Sequence, residues 1–352
     1  MKAVRDLLQR PSIWLRLDGP ESDVVLSSRI RFARNLAGRP FPESAKPDVR
    51  AELLREILEV TRGVEAFQDE LRLRLESLEP LERRLLGERQ LVSQELVDSP
   101  AHRGVVVAAD ESVSFMVNEE DHVRIQSFCS GLDLQRTYAA GEAVESALDK
   151  RLDFAFSDTL GYLTACPTNT GTGMRASLLL HLPGLVLSDR IEKQLKQLER
   201  RTVNVRGFHG EGSAAMGNFF QVSNAVTLGP NEEEILSQLQ EVVHDLIAHE
   251  RTTRDELLSR ARTLLEDRIW RSFGVLSHAR TLNAQETLHH ASVLRLGCNL
   301  RILDLPADLA HEILALGQDA HTEALADRDD GELQRGVWRA DAIRKKLRGS
   351  QN

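Results

Sequence analysis

The chain is poor in the residues that usually announce a chemistry. Its three cysteines, Cys129, Cys166 and Cys298, form no C-x-x-C pair, so neither a disulfide framework nor a cysteine zinc site is indicated, and a reducing compartment fits. H-x-x-x-H and H-E-x-x-H pairings are missing, so His122 and His209, though near acids, do not read as metal ligands and need no catalytic role. The most apolar run, LLLHLPGLVL at 178–187, is far too short to span a bilayer. The amino terminus, MKAVRDLLQRPSIW, has no apolar signal-peptide region. A cytoplasmic protein is expected, without membrane contact. Positive charge is also in deficit: 45 Lys and Arg face 54 Asp and Glu, a formal charge of -9. That disfavours nonspecific binding to nucleic acid or anionic lipid and favours basic partners.

At 352 residues, 41% hydrophobic and 28% charged, the chain can bury one substantial core and a smaller one. From Val24 to about Leu228, short apolar runs such as DVVLSSRIRF, RGVVVAA, SVSFMVN and HVRIQSF alternate with helical stretches. An α+β unit follows from that alternation. At GPNEEEILSQLQEVVHDLIAHE the pattern changes. Asn231 with Glu234 reads as a helix cap, and Ile235, Leu236, Leu239, Val242, Val243, Leu246 and Ile247 fall on one helical face. Breaks near Gly274, Asn283, Leu305-Pro306 and Asp327–Gly331 divide the remainder into amphipathic segments. We expect a catalytic-type domain over 1–255 and an all-α bundle over 256–352.

Four stretches could carry chemistry. CPTNTGTGMRAS, Cys166 to Ser177, has the glycines of a phosphate loop but no lysine, and its spacing does not fit G-x-x-x-x-G-K-[ST]. By itself it reads as a small-residue turn. In SSRIRFARN, a strand would set Arg29 and Arg31 on one face, either a solvated edge or an anion site. NEEDHVR, Asn118 to Arg124, places three acids and an arginine at a strand end, where a carboxylate and an arginine could act as base and phosphate clamp. VRGFHGEGSAAMG puts Arg206 and Glu211 in a glycine-studded stretch, a plain surface loop or a lid.

In their order along the chain, SSRIR, NEEDHVR, CPTNTGTGMRAS and VRGFHGEG, the four blocks resemble the guanidino (phosphagen) kinase family, whose members move the γ-phosphoryl group of ATP onto a guanidinium nitrogen. Because the blocks begin at residue 27 and extra helices follow them, the chain is most similar to the protein arginine kinases of that family. Small-molecule members carry a helical domain ahead of the blocks. The resemblance implies a phosphagen-kinase-like catalytic domain, an antiparallel or mixed sheet flanked by helices, followed by a helical domain of phosphoarginine-binding and dimerisation type. It implies that Arg29, Arg31, Arg124, Arg175 and Arg206 bind ATP phosphates. Glu120 and Glu211 would grip the substrate guanidinium with Cys166 beside it, on the loop carrying Thr168 and Asn169. It further implies Mg²⁺ carried by the nucleotide, protein substrates with exposed arginines, an activator protein, a Clp-type protease as recipient, and a homodimer.

These residue types suit that chemistry. A guanidinium stays protonated near neutral pH, and a protonated nitrogen is no nucleophile. Two carboxylates can orient it and accept its proton, while planar arginines meet the charge on the γ-oxygens. A thiolate at Cys166 would hold the guanidinium further. The chain departs from the family's pattern at Gln90 and Leu179, where relatives have histidines, which leaves nucleotide preference open. In the carboxyl-terminal R-D-x-x-R-A motif, tied in relatives to phosphoarginine, this chain reads RGVWRA: Arg335, Arg339 and Ala340 are kept and Gly336 replaces the acid. Weak activation by phosphoarginine, or none, is expected, with the response strengthened by Gly336→Asp at unchanged basal kcat. Two other readings stand beside a protein kinase: a kinase of free arginine or another small guanidine, and an inactive adaptor that binds arginine or phosphoarginine segments.

Overall fold

The computed structural model describes residues 2–68, 71–198, 201–207, 216–326 and 331–349. Its strands are β1 (Val25–Arg34), β2 (Leu71–Arg74), β3 (Gly104–Val107), β4 (Val113–Val117), β5 (Val123–Ser130), β6 (Phe156–Ser157), β7 (Gly161–Tyr162), β8 (Met174–His181), β9 (Val203–Gly207) and β10 (Phe219–Asn224). Eight of them form one sheet in the order β2-β3-β4-β5-β1-β8-β10-β9, while β6 and β7 make a small hairpin apart. Every pairing in the large sheet is antiparallel.

Helices α1 (Lys2–Asp6), α2 (Pro47–Val60), α3 (Pro80–Glu88), α4 (Gln94–Asp98), α5 (Leu134–Asp149), α6 (Pro183–Leu187) and α7 (Ile191–Leu198) surround the sheet. The long α8 (Glu232–Arg260) leads into α9 (Arg262–His278), α10 (Ala284–Asn299), α11 (Ala307–Leu316), α12 (Asp319–Ala326) and α13 (Gly331–Gly349). Among the described residues no helix is long and apolar enough to cross a membrane.

Alternation along the central strands gives the sheet two unlike faces. Ile30, Phe32, Ile125, Ala176, Leu178 and Val222 join Leu53 and Ile57 of α2, Val144 and Leu148 of α5, and the apolar stripe of α8 in one core. The expected cap starts α8: Asn231 Oδ1 accepts from Glu234 N at 2.9 Å and Glu234 Oε2 accepts from Asn231 N at 2.9 Å. All seven stripe residues read from the sequence are buried.

The bundle α9–α13 builds a second core that takes in Trp14, Leu26, Leu179 and Phe219 from the sheet side. Two polar junctions add to this contact. Buried Arg295 donates from Nε to His311 Nε2 at 2.9 Å and from Nη1 to Asp23 O at 3.1 Å, with His181 Nδ1 at 2.6 Å, and His311 Nδ1 donates to Leu15 O at 2.6 Å. At the other junction, the Glu88 carboxylate accepts from Ala320 N at 2.7 Å and His321 N at 2.8 Å. It thereby meets the positive end of α12.

The division expected at 255/256 lies within the last turns of α8, which runs unbroken to Arg260. One sequence reading shifts. Gly274 reads as a break but lies within α9; burial of Leu265, Ile269 and Leu276 on both sides of it outweighs the roughly 1 kcal/mol cost of one helical glycine. Asn283 does cap a helix, exchanging hydrogen bonds with Glu286.

Candidate active site

Strand register places the arginines. Arg31 of β1 faces Arg175 of β8 and Gln126 of β5, and Arg29 faces Ser177 and Phe128. One strand further out, Gln221 of β10 faces Arg206 of β9 on one side and Leu179 on the other. Side chains from these positions line a cleft of about 660 Å³ on the sheet face opposite the α2–α5–α8 core, among them Arg29, Arg31, Arg124, Arg206, Gln90 and Leu179. Its far wall belongs to the bundle, through Gln285, Leu288, Leu314, Gly317, Gln318 and Asp319.

On the sheet wall the charge is one-sided, all of it arginine. Arg29 donates to Gln221 Oε1 at 3.0 Å, Ser177 Oγ at 3.3 Å and Gln90 Oε1 at 3.5 Å, all neutral partners. Burial, and then repulsion from Arg175 and Arg124, push its guanidinium down to about 10. Arg31 is also depressed well below the ordinary arginine value, by burial and then by Arg29, Arg124 and Arg175, against a counter-pull from Glu119. Its Nε is buried with no hydrogen-bond partner among the described residues. A buried charge needs a partner. Crowded, planar donors of this kind fit a polyphosphate, which accepts bidentate hydrogen bonds and relieves their repulsion.

At the edge of this cluster lie the carboxylates of the β4–β5 connection. Arg124 donates to Glu119 Oε1, and its Nη2 lies 3.3 Å from Glu120 Oε2. Glu120 is half-buried, and desolvation raises its carboxyl above the ordinary value although Arg124 pulls the other way. Next to it, buried Asp121 accepts from Asn35 Nδ2 at 2.6 Å and from Ala165 N at 2.7 Å. Asp121 therefore ties the strand end bearing Glu120 to the loop bearing Cys166. Cys166 Sγ shares a 2.9 Å hydrogen bond with Thr168 Oγ1, and Pro167–Asn169 form one 3-10 turn. Glu211 and His209 lie outside the described residues. His122 is buried: its Nδ1 accepts from Leu36 N at 3.0 Å and its Nε2 donates to Pro40 O at 2.9 Å, a structural role.

The glycines of CPTNTGTGMRAS have another cause than phosphate wrapping. Gly171 and Gly173 have φ of +112° and +62°. A Cβ at 171 would sit 2.2 Å from Thr227 O, and one at 173 would sit 2.7 Å from Ala33 O. Close backbone approach at positive φ demands glycine at both, and the loop's charge comes from Arg175 alone.

In α13, Arg339 is buried and donates to Leu316 O at 2.7 Å, Leu282 O at 2.8 Å and Asp319. It joins three helices, and its partner Asp319 lines the cleft. Arg335 Nη1 lies 3.9 Å from Glu323, which pairs at 2.8 Å with Arg84 of α3. A Cβ at Gly336 would meet Thr281 Oγ1 at 2.6 Å, so an aspartate there must first displace Thr281.

Sequence reading misses Gln221 as a holder of the site, although period-two alternation in β10 carries a signal for it. Ser177 and Asp121 lie inside the blocks read from the sequence but receive no role of their own there.

The family model of the ATP:guanido phosphotransferase C-terminal catalytic domain matches residues 53–253, and that of the protein-arginine kinase McsB C-terminal domain matches 262–352. A protein-arginine kinase of Moorella thermoacetica is 42% identical over 346 residues, 97% of this chain and 99% of its own. One from Pelotomaculum thermopropionicum is 40% identical over 346 residues, 96% of both chains. Among solved structures, a lombricine kinase superposes with a TM-score of 0.57 at 28% identity, over 65% of this chain and 67% of that one. The duplicated taurocyamine kinase of Schistosoma mansoni gives 0.58 at 25% identity, over 70% of this chain and 38% of that one. With the arginine-lined sheet and matches that together run from residue 53 to the end, the chain belongs to the ATP:guanido phosphotransferase family, in the branch of the protein-arginine kinases.

Proposed function

We propose that the chain is an ATP-dependent protein arginine kinase that transfers the γ-phosphoryl group to arginine side chains of proteins. The observation that carries this reading is the crowding of Arg29 and Arg31 with Arg124 and Arg175, next to a carboxylate, Glu120, with a raised proton affinity. In this reading Arg29, Arg31, Arg124, Arg175 and Arg206 hold the phosphates, and Mg²⁺ would arrive with the nucleotide and help neutralise the charge that develops on the transferred group. Glu120, together with Glu211, orients the acceptor guanidinium beside Cys166, Thr168 and Asn169. The acceptor nitrogen gives up its proton to Glu120 and forms the N–P bond as the bond from phosphorus to the bridging oxygen breaks, ADP leaving with that electron pair. A carboxylate whose pKa is raised accepts such a proton more readily.

The bundle match supports a finer reading, in which the product marks a protein for a Clp-type protease, an activator protein and a homodimer take part, and Arg335 and Arg339 belong to a phosphoarginine-responsive helix.

Incubation with ATP, Mg²⁺ and casein, followed by mass spectrometry under non-acidic conditions that preserve the P–N bond, tests the activity. Phosphate on arginine is expected. Phosphate on free arginine but never on casein would show a small-guanidine kinase, and none on either would show a binding protein.

A further inference from the structure

The reading as a protein kinase requires the polypeptide around the target arginine to rest on this chain's surface, and one exposed surface lies beside the loop that carries Cys166, Thr168 and Asn169. The loop 166–173 is clamped from two sides. On one, Tyr162 of the β6–β7 hairpin donates from N to Gly171 O at 2.8 Å. On the other, Thr172 N donates to Thr227 O at 3.0 Å, and Thr227 Oγ1 donates to Thr168 O at 2.9 Å and Thr170 O at 2.7 Å.

Each clamp carries a pair of exposed large apolar side chains: Phe156 at 58% and Leu160 at 45% on the hairpin, Val226 at 41% and Leu228 at 50% on the other. Soluble domains rarely gather such residues at one place without a partner. Exposed carboxylates accompany both pairs, Asp158 between the first two and Glu233 just after the second. The surface is apolar with a negative border, complementary to a basic, apolar-flanked segment.

We propose that Phe156, Leu160, Val226 and Leu228 form a docking rim for the substrate polypeptide, gripping apolar side chains on either side of the arginine being phosphorylated. This rests on the kinase reading and adds a preference to it. An extended chain advances at most about 3.6 Å per residue, so positions one to three residues from the arginine fall within roughly 11 Å of its Cα.

The test uses two peptides of equal charge, one with leucine or phenylalanine two residues either side of a single arginine, the other with serine there. The full-length enzyme should show a KM roughly tenfold lower for the apolar peptide, the factor that burying one large side chain supports. The double variants Phe156→Ser with Leu160→Ser, and Val226→Thr with Leu228→Ser, should each lose most of that preference while keeping kcat/KM on the serine peptide. Equal turnover of both peptides by the unmodified enzyme overturns the rim, as does an equal loss on both peptides in the variants, which would mean the rim only shapes the loop. Dissociation of an oligomer in the variants with the preference intact would assign the rim to a second copy of the chain. Phosphoarginine on neither peptide would overturn the kinase reading itself.

Discussion

Arg124 holds Glu119 and Glu120 together, so in the proposed mechanism the cation that faces phosphate is bonded to the carboxylate that meets the substrate. Glu120→Gln should leave nucleotide affinity nearly intact and lower transfer by about 10²–10⁴-fold, the usual range for a lost general base; near-normal turnover would remove Glu120 from the mechanism. Because its carboxyl is raised above 4.5, the base is lost as pH falls through a value above that of an ordinary glutamate. The acid limb of kcat/KM should therefore sit higher than 4.5 and flatten in Glu120→Gln. Arg175→Lys keeps a charge but not a planar fork, and the loss of a transition-state arginine can cost roughly 10³–10⁵-fold. A lysine variant retaining most of its kcat would take Arg175 out of the phosphoryl cradle.

At the scale of elements, two helical glycines make opposite predictions. Gly274 in α9 has open space within 4 Å of where a Cβ would stand and no positive φ, so Gly274→Ala should stabilise by about 0.5–1 kcal/mol through helix propensity. Gly336 in α13 gains the same propensity but drives a methyl to 2.6 Å from Thr281 Oγ1, so Gly336→Ala should destabilise. Denaturant midpoints of the two variants moving in the same direction would contradict this. These positions also show what the sequence can tell. The strands, the α8 stripe and the shared face of Arg29 and Arg31 are legible because each depends on local periodicity. Gly274 misleads because glycine marks turns locally, whereas its helix is held by tertiary burial. Gln90's contact with Arg29 and the capping of α12 by Glu88 join residues 61 and 232 or more positions apart, and no local pattern encodes them.

For the whole molecule, the buried Arg295 junction makes stability depend on pH. His311 is pushed down to about 3 by burial and then by Arg295, and His181 is lowered from the same first causes. Both stay neutral in the folded protein, while the unfolded chain takes up protons below about 6.5. Stability from His311 is thus present above 6.5 and lost as pH falls towards 3, about 2 kcal/mol of it by pH 5. Urea unfolding at pH 7 and pH 5 should show this loss, and His311→Gln should reduce it; an unchanged pH slope would acquit the junction. The two-sided cleft has a further consequence. Since sheet and bundle each supply one wall, a fragment ending at Arg260 would be no minimal kinase: it would bare Trp14, Leu26, Leu179 and Phe219 and leave the arginine-lined face without a roof. Grafting either half onto a distant relative's counterpart should fail for the same reason, for the cleft is a seam, and a seam exists only where both edges were cut to match.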